Sequence, residues 1–419
     1  MNKKRIFKVL SSILLIATVI LLGKIYDNKN KEEKIYLNSN INEENIEEKE
    51  NNNEEKSIEN IVEEEANLIE IMSLGNLIIH QSQIDGAKNS IGYDFSPSFQ
   101  YVKNMISESD ISIGILEGAL AGGQPTGYPC FNSPDEVLDA LNDSGLDIIN
   151  YANNHIYDYH DEGLQRTIQV TKEKGLDVLG VKSTEEEKNY LIKEIDRIKI
   201  GFISYAYETA MQYGNISINS NVVSSYSENL INTFNYNNLE NFYAEMANEI
   251  ENMKSEGAQF IITSMHWGEE YNTYIEYYQS DMARRLNELG VDIILGGHPH
   301  VIQPYELITN ESGHSTFVLY SQGNTLSNQS EEEIGIAESE DGILAKFTLE
   351  EKDGDVYLKE YNIIPTWVSK EAKGDGTYYH KIIPLKEALA NPSEYNITDV
   401  LYEKLKISLN RIENIIGIQ

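Results

Sequence analysis

Gly297-His298-Pro299-His300 follows directly on an apolar run at 292–295, and the reading of this stretch decides the fold. A short Ile/Leu run ended by glycines reads as a buried strand. A polar loop at the carboxyl end of such a strand is where open α/β sheets gather their ligands. Two histidines one residue apart in an extended segment point to the same side, so His298 and His300 are placed to address neighbouring ions.

The same arrangement recurs outward in both directions. Residues 68–74 read as a first strand ended by Gly75, with Asn76 next, and 111–116 as a second apolar run with Glu117 at its end. Asn153-Asn154-His155 follows a strand at 146–150, and His266-Trp267-Gly268 follows one at 260–264. Ser133-Pro134-Asp135-Glu136 supplies a capping serine, an early proline and first-turn acids, so a helix is expected from there to about Ser144-Gly145. Further helices are expected at 162–174, 239–256 and 278–289, a strand at 176–179, and a hairpin from 191–195 and 198–203. Residues 205–238, rich in Ser, Asn and Tyr, show no period and read as a loop or excursion. Past 318 the pattern turns to strands at 342–349 and 356–364 around Asp353-Gly354, a hairpin signal. Alternation first and strands later predicts an α/β sandwich of two packed sheets flanked by helices.

Imidazole, amide oxygen and carboxylate form a ligand set suited to Zn, Mn or Fe. Two such ions roughly 3.5–4 Å apart clamp a phosphoryl group and activate water. A lone buried histidine is usually a satisfied core residue. Here four of the 8 histidines, His155, His266, His298 and His300, fall in polar motifs that each follow an expected strand. Trp267 reads either as packing or as a wall of the site.

The hydrophobic fraction of 40% suffices for a folded core, and the formal net charge is −35. Residues 1–26 carry about +5 and 27–66 about −9, which leaves the remainder near −31. So acidic a globular part excludes nucleic acid as a partner, because phosphate backbones are held by Lys and Arg. It also speaks against a long polyanion held by bulk electrostatics. The single cysteine, Cys130, permits no intramolecular disulfide.

Lys3, Lys4, Arg5 and Lys8 precede and overlap an apolar run at 6–23, with no cleavage site or lipidation cysteine after it. Residues 1–26 are therefore expected to be an uncleaved transmembrane helix anchored in the lipid bilayer, with the N-terminus cytoplasmic and the main domain extracytoplasmic. Residues 27–66, rich in Glu, Asn and Lys, are expected to be an acidic flexible stalk. The main domain is expected at 67–370, and 371–419 as a C-terminal extension with a terminal helix.

The chain resembles the CapA family of bacterial capsule-synthesis proteins, whose domain is similar to a calcineurin-like metallophosphoesterase. The resemblance runs from about 68 to about 329. It rests on Asp147-Ile-Ile-Asn-Tyr-Ala-Asn-Asn-His155 with Asp158 and Gly163, on His266-Trp-Gly-Glu-Glu-Tyr271, on Gly296-Gly-His-Pro-His-Val-Ile-Gln-Pro304, and on Tyr320-Ser-Gln-Gly-Asn324. It implies a role in making, exporting or retaining poly-gamma-glutamate, beside membrane subunits of a synthase or export complex. It also implies that Asn76, Glu117, Asn154, His266, His298 and His300 hold divalent metal. His155 would be a general acid, with Asp158 either orienting it or capping the next helix.

Two departures weigh against turnover. Asn76 stands where the family usually has Asp, and Ile115 where it usually has Asn. A neutral amide brings no charge to offset the lost hydration of a dication, which leaves Glu117 as the one assigned carboxylate. His80 is a further candidate ligand, although its spacing from Asn76 departs from the phosphoesterase Asp-x-His. Three readings are open: a metal-dependent hydrolase, a non-catalytic scaffold of a capsule export complex, or an exported phosphoesterase with a non-capsule substrate.

Overall fold

Two β-sheets stack face to face, and the sequence dictates it through the parity of its apolar residues. In the computed structural model, which describes residues 67–212 and 214–417, the first sheet begins with β1 (Leu68–Ile78), β2 (Ile111–Glu117), β3 (Ile148–Asn150) and β4 (Asp177–Leu179), all parallel. The hairpin β5 (Tyr190–Ile195) and β6 (Ile198–Tyr207) then starts the second sheet. Between 209 and 222, β7 (Thr209–Gln212), β8 (Asn215–Ile218) and β9 (Asn221–Val222) form a small separate sheet. Part of the segment expected as a loop or excursion is thus strand, held by local antiparallel pairing rather than by apolar period.

The second sheet is completed by β10 (Thr233–Phe234), β11 (Phe260–His266), β12 (Ile293–Gly297), β13 (Tyr305–Thr309) and β14 (Ser315–Leu319), in the order β10-β6-β11-β12-β14-β13. The chain then returns to the first sheet as β15 (Asn324–Leu326), β16 (Asp341–Lys352), β17 (Asp355–Ala372) and β18 (Tyr378–Pro384). That sheet runs β18-β17-β16-β1-β2-β3-β4, with β15 pairing in parallel with β1 beyond its paired run with β16. The Asp353-Gly354 hairpin lies where expected, with φ of 57° and 90°.

Alternate residues of the central strands face different partners. Ile69, Ile71, Ile111, Ile113 and Ile148 of the first sheet meet Ile200, Phe202, Phe260, Ile262, Ile293 and Leu295 of the second in one buried layer. Met72, Leu74 and Ile149 turn the other way, onto Leu138, Leu141, Leu164 and Ile168 of the helices Glu136–Asp143 and His160–Glu173. Ile261, Met265 and Ile294 turn outward onto the helices Leu239–Ser255 and Tyr277–Leu289. The period of two along each strand thus produces a four-layer sandwich.

The expected helix near Ser133 starts at Glu136. Ser133 does not cap it, and Asp135 instead forms a bidentate pair with Arg166 at 2.8 and 2.7 Å. The boundary expected at 370 falls inside β17, whose pairing with β18 carries the sheet through it. The described residues from 67 onward form one compact unit, in which the terminal helix Asp399–Ile416 packs Leu405, Ile412 and Ile416 into the same apolar cluster, beside β17. The expected membrane anchor and stalk lie outside the described residues. Among the described residues no helix is long and apolar enough to cross a membrane.

Candidate metal centre

The centre lies at the carboxyl ends of parallel strands from both sheets. Glu117 closes β2, His266 closes β11 and His298 follows β12. Asn150 at the end of β3 donates from Nδ2 to Ser264 Oγ at 2.9 Å and ties the two sheets together beneath it.

Asn76 reaches the centre by a local irregularity that the sequence reading missed. Gly75 does not end the first strand. The β1–β2 register skips it, Leu74 pairing with Gly114 and Asn76 with Ile115, so Gly75 is the extra residue of a bulge. A bulge reverses the facing of the residues beyond it, which turns Asn76 to the side of Ile69 and Ile71. Glycine is required there, since a Cβ would come within 2.5 Å of Gly323 O. Gly297 is a second such position: a Cβ would lie 2.9 Å from Asn76 Oδ1 and 2.5 Å from Ile115 Cδ1.

The six expected ligands are brought together. His266 Nε2 lies 2.9 Å from Asn154 Oδ1 and 3.7 Å from Glu117 Oε1. His300 Nε2 lies 3.7 Å from Glu117 Oε2, and its Nδ1 lies 3.2 Å from Asn76 Nδ2. The His298 ring centre is 4.8 Å from that of His266 and 6.1 Å from that of His300. His298 and His300 both take left-handed backbone, with φ of 94° and 58°. Such conformations cost about 1–3 kcal/mol each in non-glycine residues and persist where the surroundings impose them.

Electrostatics decides what such a pocket can hold. Glu117 is fully buried, and neither carboxylate oxygen has a hydrogen-bond partner. Asn76 Oδ1, His266 Nδ1 and His298 Nδ1 are likewise buried without one. Burial pushes the Glu117 carboxyl well above the usual range, with further contributions from Glu270 and Asp158. Burial, then the neighbouring imidazoles, holds His266 and His298 well below theirs, and His300 is lowered to about 3, chiefly by burial. The rings are therefore neutral, so the 3.7 Å approaches to Glu117 are not ion pairs. Neutral imidazoles around an unsatisfied carboxylate are a poor arrangement without a cation and a good one with it. The donor set fits a divalent metal.

Asn324, part of the fourth motif but without an expected role, fixes one ligand. Its Nδ2 faces three acceptors, His300 O, Ser339 O and Gln329 Oε1, at 3.2, 2.9 and 3.0 Å, which turns Oδ1 toward His300 Nδ1 at 3.1 Å. An acceptor at Nδ1 favours the proton there and so frees the Nε2 lone pair for a metal, while Asn76 Nδ2 approaches the same nitrogen as a donor. Glu270 was also missed. Its carboxylate and the ring nitrogens of His298 and His300 lie within 4.8 Å of one another. The signal available was its place four residues after His266.

His155 Nδ1 donates to Asp158 Oδ2 at 2.8 Å, and Phe131 N donates to the same oxygen at 2.9 Å. Asp158 thus orients His155. It does not cap the helix His160–Glu173, whose capping position is Tyr159. His80 accepts from Asn328 N at 3.4 Å, stands edge-on to Phe131 at 5.2 Å, and is lowered to about 4 by burial. It packs and caps, and is not among the clustered ligand groups. Trp267 is fully buried, donates to Tyr320 O at 2.9 Å and stacks on that ring, so it is packing.

Comparison with known proteins agrees with the motifs. The model of the family described as bacterial capsule synthesis protein PGA_cap matches residues 70–329. Capsule biosynthesis protein CapA of Bacillus anthracis is 24% identical over 275 residues, covering 62% of this chain and 59% of that one. PGA biosynthesis protein CapA of Bacillus subtilis (strain 168) is 24% identical over 237 residues, covering 55% and 57%. The chain thus spans less than two thirds of the length of these curated relatives. Among solved structures, the calcineurin-like phosphoesterase YfkN from Bacillus subtilis aligns with a TM-score of 0.40 and 17% identity, over 83% of this chain and 97% of that one.

Proposed function

Since this chain belongs to the PGA_cap family of bacterial capsule synthesis proteins, we propose that it acts in capsule polymer synthesis, export or surface retention through a metal-dependent hydrolytic site of the metallophosphoesterase kind. The reading places the domain outside the cell membrane on a single N-terminal anchor, beside membrane subunits of a synthase or export complex. The observation that carries the hydrolytic part is the fully buried, unpartnered carboxylate of Glu117 among neutral His266, His298 and His300.

Asn76, Glu117, Asn154, His266, His298 and His300 would hold the metal. A divalent ion there would supply Lewis acidity and would activate water at neutral pH. The chain's own groups do the rest. Asn324 Oδ1 orients the His300 ring through Nδ1. Asp158 keeps the His155 proton on Nδ1, so Nε2 is the nitrogen that exchanges a proton with a leaving group. An anionic polymer meets a chain of net charge −35, so its approach depends on this centre rather than on the surface as a whole.

The test is metal content of the purified protein together with turnover of a generic phosphoester in added Mn2+. A protein that stays metal-free and inert removes the hydrolytic reading. A non-catalytic scaffold is the second reading, favoured by Asn76 and by Ile115, which fills part of the pocket wall with an apolar side chain. It requires that Glu117→Ala and His298→Ala, if folded, leave function in cells intact.

A further inference from the structure

Two dications need more negative charge than Glu117 alone provides, and Asn76 contributes none. One more carboxylate stands at the centre. Glu270 is exposed at its rim, with its carboxylate within 4.8 Å of ligand nitrogens of both His298 and His300. Among the described residues it has no ion pair or hydrogen bond to occupy it.

Its position is built into the backbone. Trp267 N donates to Gly297 O at 3.2 Å and Tyr271 N to Pro299 O at 2.7 Å. These two bonds lace the segment carrying Glu270 to the segment carrying both histidines. Tyr271, like His298 and His300, is held in left-handed backbone, with φ of 65°. Three non-glycine residues in that region, across two laced loops, show that the surrounding structure imposes the juxtaposition.

We infer that Glu270 is a metal ligand that supplies the charge Asn76 does not, binding a divalent cation together with His298 and His300. This rests on the metal-dependent reading above. It divides the centre into an inner position around Glu117, Asn154 and His266 and an outer one closed by a carboxylate from the rim. The outer ion, with an exposed ligand, is the weaker and more exchangeable of the two. Position 76 stands beside His300 and position 270 beside His298 and His300, from different elements, so a carboxylate at either brings negative charge to the same centre.

The experiment uses the full-length purified protein, stripped with chelator and titrated with Mn2+, with bound metal counted by elemental analysis and spin coupling read by electron paramagnetic resonance. Wild type should bind two ions with a coupled signal. Glu270→Gln should lose one ion or bind its last ion at least about tenfold more weakly, and lose the coupling. Glu269→Gln, a neighbouring exposed carboxylate, should match wild type. Asn76→Asp in the Glu270→Gln background should recover the second ion, which a merely structural role for Glu270 would not produce. Equal thermal midpoints in chelator confirm that both single variants fold. A Glu270→Gln protein that binds two ions as tightly as wild type, or a double variant that recovers nothing, overturns the inference alone. A wild type that binds no Mn2+ overturns the metal-dependent reading and this inference with it.

Discussion

Glu117→Gln separates a cost of the metal-free fold from a gain on metal binding. The carboxylate is fully buried and both oxygens lack partners, so without metal its charge is a burden. In chelator the folded state keeps the Glu117 proton to higher pH than the unfolded chain does, because burial raises its pKa. Over that window the folded state binds more protons. Stability is therefore fully present below the ordinary carboxylate range and falls as pH rises, by at most about 1.4 kcal/mol per pH unit. Gln keeps the shape and removes the titration. Its unfolding free energy in chelator at pH 7 should exceed that of wild type by roughly 1–3 kcal/mol, the scale of one to two pH units of that linkage. With free Mn2+ at about 100 times Kd, wild type should gain about 2.7 kcal/mol and Gln much less. The order of the two proteins should therefore invert between chelator and metal in urea unfolding followed by circular dichroism. A Gln variant that is the less stable in chelator, yet gains as much from Mn2+ as wild type, would refute the reasoning.

Three further outcomes are expected. Asp158→Asn, which removes the acceptor of the His155 Nδ1 proton, should lower phosphoester turnover about 10²-fold or more while bound metal stays unchanged. Gly297→Ala places a Cβ 2.5 Å from Ile115 Cδ1 and 2.9 Å from Asn76 Oδ1; overpacking should cost about 1–3 kcal/mol in urea unfolding and weaken metal binding as Asn76 is displaced. Arg411→Leu leaves Asp341, which is 1% exposed and accepts from Arg411 Nε at 2.6 Å and Nη2 at 2.7 Å, without its cation. The loss should be about 3–5 kcal/mol by thermal or urea unfolding.

Much of the centre was legible because each motif sits at the end of a strand whose apolar parity is plain. Glu117, Asn154, His266, His298 and His300 needed only that β2, β3, β11 and β12 end at one crevice. The features that escaped the sequence depended on register and on loop-to-loop contact. Gly75 looked like a terminator because glycine usually is one; only pairing with β2 shows it as an inserted residue. Asn324 looked ordinary because its value lies in three acceptors contributed by residues 300, 329 and 339. Glu270 was hidden among exposed acids, and the backbone bond from Tyr271 to Pro299 is what singles it out. The excursion at 205–238 gave no period, yet it delivers Asn219, whose Nδ2 lies 3.3 Å from His155 Nδ1.

Because Asn76 and His300 lie 224 positions apart, one on a strand of the first sheet and the other in a loop that follows a strand of the second, the centre cannot exist in any half-formed chain. Every ligand set spans a loop whose closure is slow to form and costly in entropy. A metal held there would be a ligand of the finished sandwich alone and would lower the free energy of the end of the folding route, leaving earlier steps untouched. Assembly must proceed on hydrophobic docking of the sheets, and a cation held by these residues would then act as a latch against reopening.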